Sequence, residues 1–321
     1  MFKSATLFQL KSSSDINAVQ LDAKLQGKTF EPCGPTQEVT WGWMPPRGEN
    51  NGALIEAIGG QWVMSLQVQT KKVPGHAVAA LVEEKMAKHQ ASTGRPAGRK
   101  EKKEMTEEAR IDLMPSAFAK TSTVFVWVCL DKGWLVISSA SRSQCDLIAS
   151  DLIASWEGLT LTPLNTAVSP ASGMAQWLTT LEWPLDMAGD NECELRAVDS
   201  SKAKVRYDNH QVEIAEIRQH IEGGKLPTKL GISLHGKVSM VLSDKLTFKK
   251  ITLLDVSTEI SATHGGSSDA FDANVVLTTG QLIPAFEAVI AGLGGVAPTA
   301  ATASTEAASP AKAESKEEAM A

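Results

Sequence analysis

The chain has 321 residues, a formal net charge of −6 and 43% hydrophobic residues, which suits one large domain or two ordinary ones. Taken alone, the acidic charge argues against a nucleic-acid partner, and the longest apolar run, VFVWVCL at 124–130, is far short of the ~20 residues that cross a bilayer. The four cysteines fit no metal or redox spacing and the N-terminus does not read as a signal peptide. We therefore expect a reduced, cytoplasmic protein with no membrane contact and no cofactor.

The first third of the chain mixes strand and helix patterns. Apolar residues at every second position predict strands, and apolar residues at every third or fourth position predict helices. These elements are strands at 5–10, 53–58 and 61–70, and helices at 16–27 and 77–90. Asp15 is the expected N-cap of the first helix, and Gly27 its stop. After a polar linker, a further helix is expected to begin with Thr106 as N-cap and to end at Pro115.

The segment 30–46, FEPCGPTQEVTWGWMPP, follows neither period. Proline and glycine fix the path of a backbone, and large aromatic side chains bury area where no regular element can. We therefore expect a rigid, packed loop in which Trp41 and Trp43 serve the structure. A binding role for the two tryptophans is the less favoured alternative.

The remainder of the chain is predicted to be mainly antiparallel, because its strands are not each followed by a helix. The expected elements are a hairpin turning at 131–133, helices at 143–156, 173–181 and 212–222, and a meander of strands at 228–234, 237–242 and 246–254. The turns of the meander are placed at His235-Gly236 and Ser243-Asp244. The doubled Lys249-Lys250 interrupts the last strand and suggests a bulge. The fold class is therefore α+β.

The negative total hides an uneven distribution of charge. Residues 201–250 hold ten Lys/Arg and five Asp/Glu, whereas 251–295 hold five Asp/Glu and no Lys/Arg. Strand alternation places Lys229 and Lys237 on the face of the meander opposite its apolar residues. A solvated face is the plainer interpretation, and a nucleic-acid surface is the alternative. From Gly294 the chain becomes too poor in large apolar residues to fold.

Motifs of catalysis are missing from the sequence. There is no HExxH and no GxSxG, and GRPAGRK at 94–100 has the wrong spacing for a P-loop. Asp269 and Asp272 lack a third acid or a histidine pair at metal-ligand spacing, so we expect them to cap the start of a strand. We therefore predict no catalytic residue, no metal site and no enzyme.

Five short motifs identify a family resemblance when they are taken in order. They are EPCG and GWMPP within 31–46, LMPSAF at 113–118, IEGGKLPTKL at 221–230 and FDANVVLTTGQL at 271–282. Together they resemble the RdgC family of bacterial recombination-associated proteins, from the N-terminus to GLGG at 292–295. The resemblance implies mixed, mainly antiparallel sheets with helices and a projecting helical finger, closed into a ring-shaped homodimer. It also implies sequence-independent binding of DNA in the nucleoid and antagonism of RecA.

The resemblance also implies a division of the chain. The expected parts are an RdgC-like unit at 1–295, made of a central part (1–70 and 119–165), a finger (71–118) and a basal part with the basic meander (166–295), and a disordered tail at 296–321.

Candidate DNA contacts follow from the same resemblance. Phe118 would join the finger tips of two subunits or touch DNA, although a Phe after a helix-ending proline is more often part of the core. Arg95 matches a basic finger residue, with Arg99 and Lys100 as substitutes. Relatives are more basic just before the 211–222 helix, where this chain has Asp208-Asn209-His210. The full set is Arg95, Arg99, Lys100, Phe118, Lys202, Lys204, Arg206, Lys225, Lys229 and Lys237.

Three functions from different classes remain open. The favoured one is a ring homodimer that encircles double-stranded DNA, with single-stranded DNA left open, and limits RecA loading during recombination and replication. The second is a protein that inhibits RecA mainly by direct contact. The third is a DNA-processing enzyme, against which the missing carboxylate cluster argues, because two-metal chemistry needs several converging acids.

Overall fold

The computed structural model describes residues 1–15, 17–48, 52–184, 186–199, 203–208, 214–254 and 268–298. The chain forms two compact units: unit 1 holds Met1–Pro163 and Thr247–Gly280, and unit 2 holds Leu164–Leu246 and the chain from Gln281. Across the described ranges there are seven α-helices and twelve strands, and the strands form a large, mainly antiparallel sheet. The predicted α+β class is confirmed. The finer division into central, finger and basal parts stays a prediction.

The elements have the following bounds. The strands are β1 (Ser4–Ser12), β2 (Val39–Met44), β3 (Ile55–Ile58), β4 (Gln61–Lys71), β5 (Ala119–Cys129), β6 (Trp134–Ile137), β7 (Leu159–Pro163), β8 (Met187–Ala197), β9 (Lys204–Asp208), β10 (Lys225–Leu234), β11 (Val238–Ser243) and β12 (Thr247–Leu253). The helices are α1 (Ala18–Leu25), α2 (Gly75–Thr93), α3 (Arg99–Leu113), α4 (Arg142–Ser155), α5 (Pro170–Thr180), α6 (Ile214–Glu222) and α7 (Ser268–Gly292).

Unit 1 is built on a sheet with the strand order β2-β4-β5-β6-β1-β12, to which β3 adds on β4 and β7 on β1. Helices α1 and α4 supply buried residues to the same apolar cluster as these strands, including Leu21, Leu25, Ile148 and Leu152. Gly59 and Gly60, which lie between the predicted strands 53–58 and 61–70, join β3 to β4 with φ of 57° and 78°. Positive φ at both central residues is what a tight hairpin needs, and glycine adopts it without strain.

The prediction of a loop over 30–46 is wrong in its second half, because Trp41 and Trp43 belong to strand β2. Trp43 is fully buried, and its Nε1 donates a hydrogen bond of 2.8 Å to Asp151 Oδ2. Between the tryptophans, Gly42 packs so closely on the backbone of Phe30 that a Cβ there would overlap with it. Because of the glycine and the flanking prolines, the side-chain period of this segment did not indicate a strand. The structural role expected for Trp43 is confirmed.

Two predicted helix caps and one predicted strand start are also corrected. Helix α1 is capped by Asn17 instead of Asp15, since Asn17 Oδ1 accepts from Gln20 N at 2.9 Å. Helix α3 begins at Arg99, and Thr106 lies inside it with its hydroxyl donating to the Lys102 carbonyl. Asp269 and Asp272 lie in the first turns of helix α7, where a strand was expected.

The last strand of unit 1 contains the predicted bulge. Lys249 pairs with Ser4, but the next hydrogen bond runs from Ile251 N to Lys3 O at 3.0 Å. Lys250 is therefore the extra residue, and its φ of 51° is left-handed. This is the geometry of a β-bulge.

Unit 2 has the strand order β11-β10-β8-β9, with α5 and α6 packed against β10. As predicted, β10 and β11 pair through apolar residues: Leu230, Ile232 and Leu234 lie opposite Leu242, Met240 and Val238. His235 and Gly236 form the turn between them. Strands β8 and β9 have no counterpart among the predicted elements. At the end of the described chain, Val296 bridges Thr166, so the predicted disorder does not begin at 296.

Helix α7 is long and apolar enough, over Asp269–Gly292, to cross a membrane by length and composition alone. Val275, Leu282, Phe286 and Val289 are nevertheless buried within the protein. Its apolar residues therefore serve packing, as in the core helix of a folded domain.

Candidate nucleic-acid interface

In unit 1, helices α2 and α3 form a helical hairpin, 75–113, joined by the turn 94–98. Val78 and Val82 of α2 and Ala109 of α3 are buried between the two helices. Gly94 ends α2 with a φ of 73°, the left-handed geometry that glycine favours after a helix. The turn places Arg95 at the tip of the hairpin and Arg99 and Lys100 at the start of α3.

The three predicted cations at the tip differ in their partners. Arg95 is held by Glu101, with 2.6 Å between Nη2 and Oε1. Glu101 also accepts a hydrogen bond from Gly98 N, and the two contacts lower the pKa of its carboxyl. Lys100 is 91% exposed and 3.9 Å from Glu104, and Arg99 is exposed with no ion pair to any residue that the structure describes. Arg99 and Lys100 are thus more available to a phosphate than Arg95.

Other cations of the hairpin divide in the same way. Lys85 pairs with Glu108 and Asp112, and Arg110 pairs with Glu107, so the body of the hairpin neutralises its own charge. Lys102 and Lys103, near the tip, are exposed and form no ion pair within the described ranges. These two lysines were not among the predicted site residues, although the density of basic residues from 99 to 103 could have indicated them.

Phe118 lies at the opposite end of the hairpin from Arg95. It follows the 3₁₀ turn Met114–Ser116 and precedes β5, and it is 96% exposed. The alternative prediction that Phe118 is part of the core is therefore wrong. Helix α3 has 15 residues and so separates Phe118 from the tip by roughly 20 Å at 1.5 Å per residue. Phe118 and Arg95 cannot act as one small site.

In unit 2, the predicted basic residues meet a buried carboxylate. Glu194 of β8 is 3% exposed, and Lys204 Nζ and Lys229 Nζ each lie 2.8 Å from its Oε2. Thr228 Oγ1 donates to Oε1 at 2.9 Å. Burial would raise the pKa of Glu194, but the hydrogen bonds from Lys204, Lys229 and Thr228 outweigh it and lower the pKa to about 2. Glu194 is therefore a carboxylate that two cations hold ionised.

This cluster corrects the expectation of a solvated lysine face at Lys229, but not at Lys237. Lys229 points to Glu194 instead of only to water, and Arg206 pairs with Asp208 at 2.8 Å. Lys225 Nζ lies 3.3 Å from His220 Nδ1. Lys237 is exposed, and its side chain has no partner among the described residues. Lys202 lies outside the described residues.

Sequence reasoning missed Glu194 because strands β8 and β9 were not predicted. One signal of this pairing does exist in the sequence, because Glu194 of β8 lies opposite Arg206 of β9 in the antiparallel register. Charges of opposite sign on facing strands are a mark of pairing.

Carboxylates elsewhere do not gather around a common point. Across the described ranges, no group of three or more His, Cys, Asp or Glu residues is arranged to hold a metal ion. Asp272, once considered as a ligand, pairs with Arg47, which also lies 3.1 Å from Glu56.

Comparison with known proteins assigns this chain to a family. The family described as "Putative exonuclease, RdgC" matches residues 1–296. The chain belongs to the RdgC family. Among its relatives, the Recombination-associated protein RdgC of Dechloromonas aromatica is 34% identical over 92% of this chain and 97% of its own length. Those of a Janthinobacterium species and of Herminiimonas arsenicoxydans are 33% and 34% identical, over 92% of this chain and 98% of theirs. The names of these RdgC relatives refer to recombination, whereas the family description refers to an exonuclease.

Proposed function

We propose that this RdgC-family protein binds DNA without sequence preference, encircles the duplex as a ring-shaped homodimer and limits RecA loading during recombination and replication. The nucleoid in the cytoplasm would be its place of action. The observation that carries the proposal is the exposed basic tip of the hairpin, in a chain whose relatives are named as recombination-associated proteins. Arg99, Lys100, Lys102 and Lys103 lie within five consecutive residues there.

Cations of this kind favour contact with phosphate over contact with bases. Lysine and arginine side chains that reach the DNA backbone release condensed counterions, which gives affinity and a steep salt dependence but no sequence information. A second copy of the chain is supported by Phe118, because an aromatic ring that is 96% exposed gains from burial against a partner. The gain for such a side chain is about 1.5–3 kcal/mol.

The test is duplex affinity as a function of salt, on two unrelated sequences. Arg99→Glu with Lys100→Glu should weaken binding equally on both. It should reduce the slope of log affinity against log salt by about 2 for each hairpin tip that contacts the duplex, since each lost phosphate contact removes about 0.9. The matched control reverses two exposed cations far from the hairpin tip in sequence, Lys11 and Arg142. If both double variants bind alike, the tip is not a DNA contact. If RecA inhibition persists on DNA that the protein does not grip, direct contact with RecA is the better explanation.

A nuclease is the second candidate, favoured by the family description. Its test is incubation of end-labelled duplex with Mg²⁺ or Mn²⁺ and with EDTA. Loss of label that requires the metal and co-purifies with the protein through two columns would establish the enzyme, and intact label would oppose it.

A further inference from the structure

Unit 2 contains a cleft of about 660 Å³ that the proposed DNA contacts do not use. Its walls come from the end of α5 and the segment after it, from the turn between β10 and β11, and from the last turns of α7. The volume falls within the roughly 300–1,000 Å³ of pockets that bind small ligands or side chains.

One wall of the cleft is aromatic. The rings of Trp177 and Trp183 have centroids 6.1 Å apart and an angle of 37° between their planes. Two glycines make room for this pair. A Cβ at Gly189 would lie 2.6 Å from Trp183 Cζ2, and a Cβ at Gly292 would overlap with Pro184 and lie 3.2 Å from Trp177 Cζ2. The two rings are therefore fixed against backbone before any ligand arrives.

One indole of this pair has a donor with no partner among the described residues. Trp177 is 3% exposed, and its Nε1 donates no hydrogen bond within the described residues. By contrast, the indoles of Trp43, Trp127 and Trp156 donate at 2.8, 2.7 and 3.1 Å. Trp177 Nε1 is not among the buried side-chain atoms that lack a partner, so this N–H reaches solvent and can donate to a ligand in the cleft.

The charge of the lining is acidic. Glu182, Asp186 and Glu287 line the cleft, and no lysine or arginine does so among the described residues. Asp186 Oδ1 is 3.6 Å from His235 Nδ1, and Glu182 forms no ion pair with any described residue. Carboxylates beside aromatic faces attract organic cations, through charge and through the ring quadrupole.

We propose that this cleft binds an arginine or lysine side chain presented by a basic segment of a partner protein. The cation lies near the carboxylates of Glu182 and Asp186 and against the tryptophan pair. A backbone carbonyl of the same segment accepts the hydrogen bond of Trp177 Nε1, which a ligand made only of amines cannot do. The site does not depend on DNA binding, and either proposal can fail without the other.

The experiment measures binding of a fluorescein-labelled, C-terminally amidated tetra-arginine peptide to the full chain by anisotropy. Glu182→Gln with Asp186→Asn should weaken binding about ten-fold, since the side chains keep their shape but lose their charge. Asparagine suits position 186, where φ is 63°, because it tolerates the left-handed region. The control, Glu222→Gln with Asp244→Asn, removes two exposed charges of unit 2 away from the cleft and should change the affinity by less than two-fold.

Four results would overturn the proposal. They are unchanged affinity of the cleft variant, an equal loss in the control variant, competition by spermidine as strong as by unlabelled peptide, and a change in light-scattering mass of the cleft variant. An equal loss in the control variant would mean that only net charge matters. Strong competition by spermidine would assign the cleft to free polyamines, and a change in mass would assign it to contact between copies of the chain. Loss confined to the cleft variant, with weak competition by spermidine and unchanged mass, supports it.

Discussion

Removing the charge of Glu194 should destabilise the protein in a way that depends on pH. The pKa of this carboxyl falls from an ordinary value of 4.5 to about 2, because hydrogen bonds from Lys204, Lys229 and Thr228 outweigh the effect of burial. At 1.36 kcal/mol per unit, the difference corresponds to about 3 kcal/mol of stability. Since the pKa is lowered in the folded state, this contribution is complete above pH 4.5 and is lost as the pH falls toward 2.

Glu194→Gln is the corresponding perturbation. At pH 7 it should lower the free energy of unfolding by about 3 kcal/mol, because two lysines lose the carboxylate that they share. Between pH 4.5 and 2 the wild-type carboxyl takes up a proton and the variant has none to take up. The difference in stability between the two proteins should therefore shrink as the pH falls.

The assay is urea denaturation of both proteins at several pH values from 7 to 3. The control is Glu222→Gln, the same substitution at an exposed carboxylate of unit 2, which should stay within about 0.5 kcal/mol of the wild type at every pH. The reasoning fails if Glu194→Gln costs less than 0.5 kcal/mol at pH 7, or if its cost is the same at pH 7 and pH 3.

Three further changes test other parts of the structure. Phe118→Ser should leave the secondary structure of each subunit intact, because the ring is 96% exposed, while lowering retention on covalently closed duplex; a loss of far-UV circular dichroism would contradict this. Gly42→Ala should cost at least 1–3 kcal/mol through overlap with the Phe30 backbone, as measured by urea denaturation, and a neutral result would show that the strand can shift. Deletion of 299–321 should change neither thermal stability nor light-scattering mass, because that stretch has almost nothing to bury.

Local patterns predicted the elements whose side-chain period is unbroken. The hairpin of β5 and β6 followed from two apolar runs on either side of a turn, and the pairing of β10 with β11 followed from alternation. In both, the register is set by a short turn. Strand β2 was missed because Gly42 stands between its two tryptophans. Helix α7 was taken for a strand at its start because FDANVVL has no helical stripe of apolar residues. In the structure Val275 is buried, whereas its neighbours Val276 and Leu277 are exposed.

The candidate site was harder to predict because its contacts are distant in sequence. Glu194 and Lys229 are 35 residues apart and meet only through the pairing of β8 with β10. Counting charges along the sequence does not show that these two residues are in contact. At the hairpin tip, by contrast, the pair of Arg95 with Glu101 spans six residues, and the exposure of its neighbours follows from their place at a turn.

Some basic residues form ion pairs with carboxylates and others do not. This difference determines at which residues a charge-reversal variant can test DNA binding. The count of charged residues over 201–250 leaves out Glu194, which lies just outside that range. Glu194 binds both Lys204 and Lys229 at 2.8 Å. Replacing Lys229 by glutamate would set a second carboxylate beside a buried one, so a loss of DNA binding would reflect folding. Arg99 and Lys103 have no such partner within the described ranges, and reversing their charge leaves the packing intact. The salt dependence of DNA binding should therefore respond more to the hairpin tip than to the more numerous basic residues of unit 2.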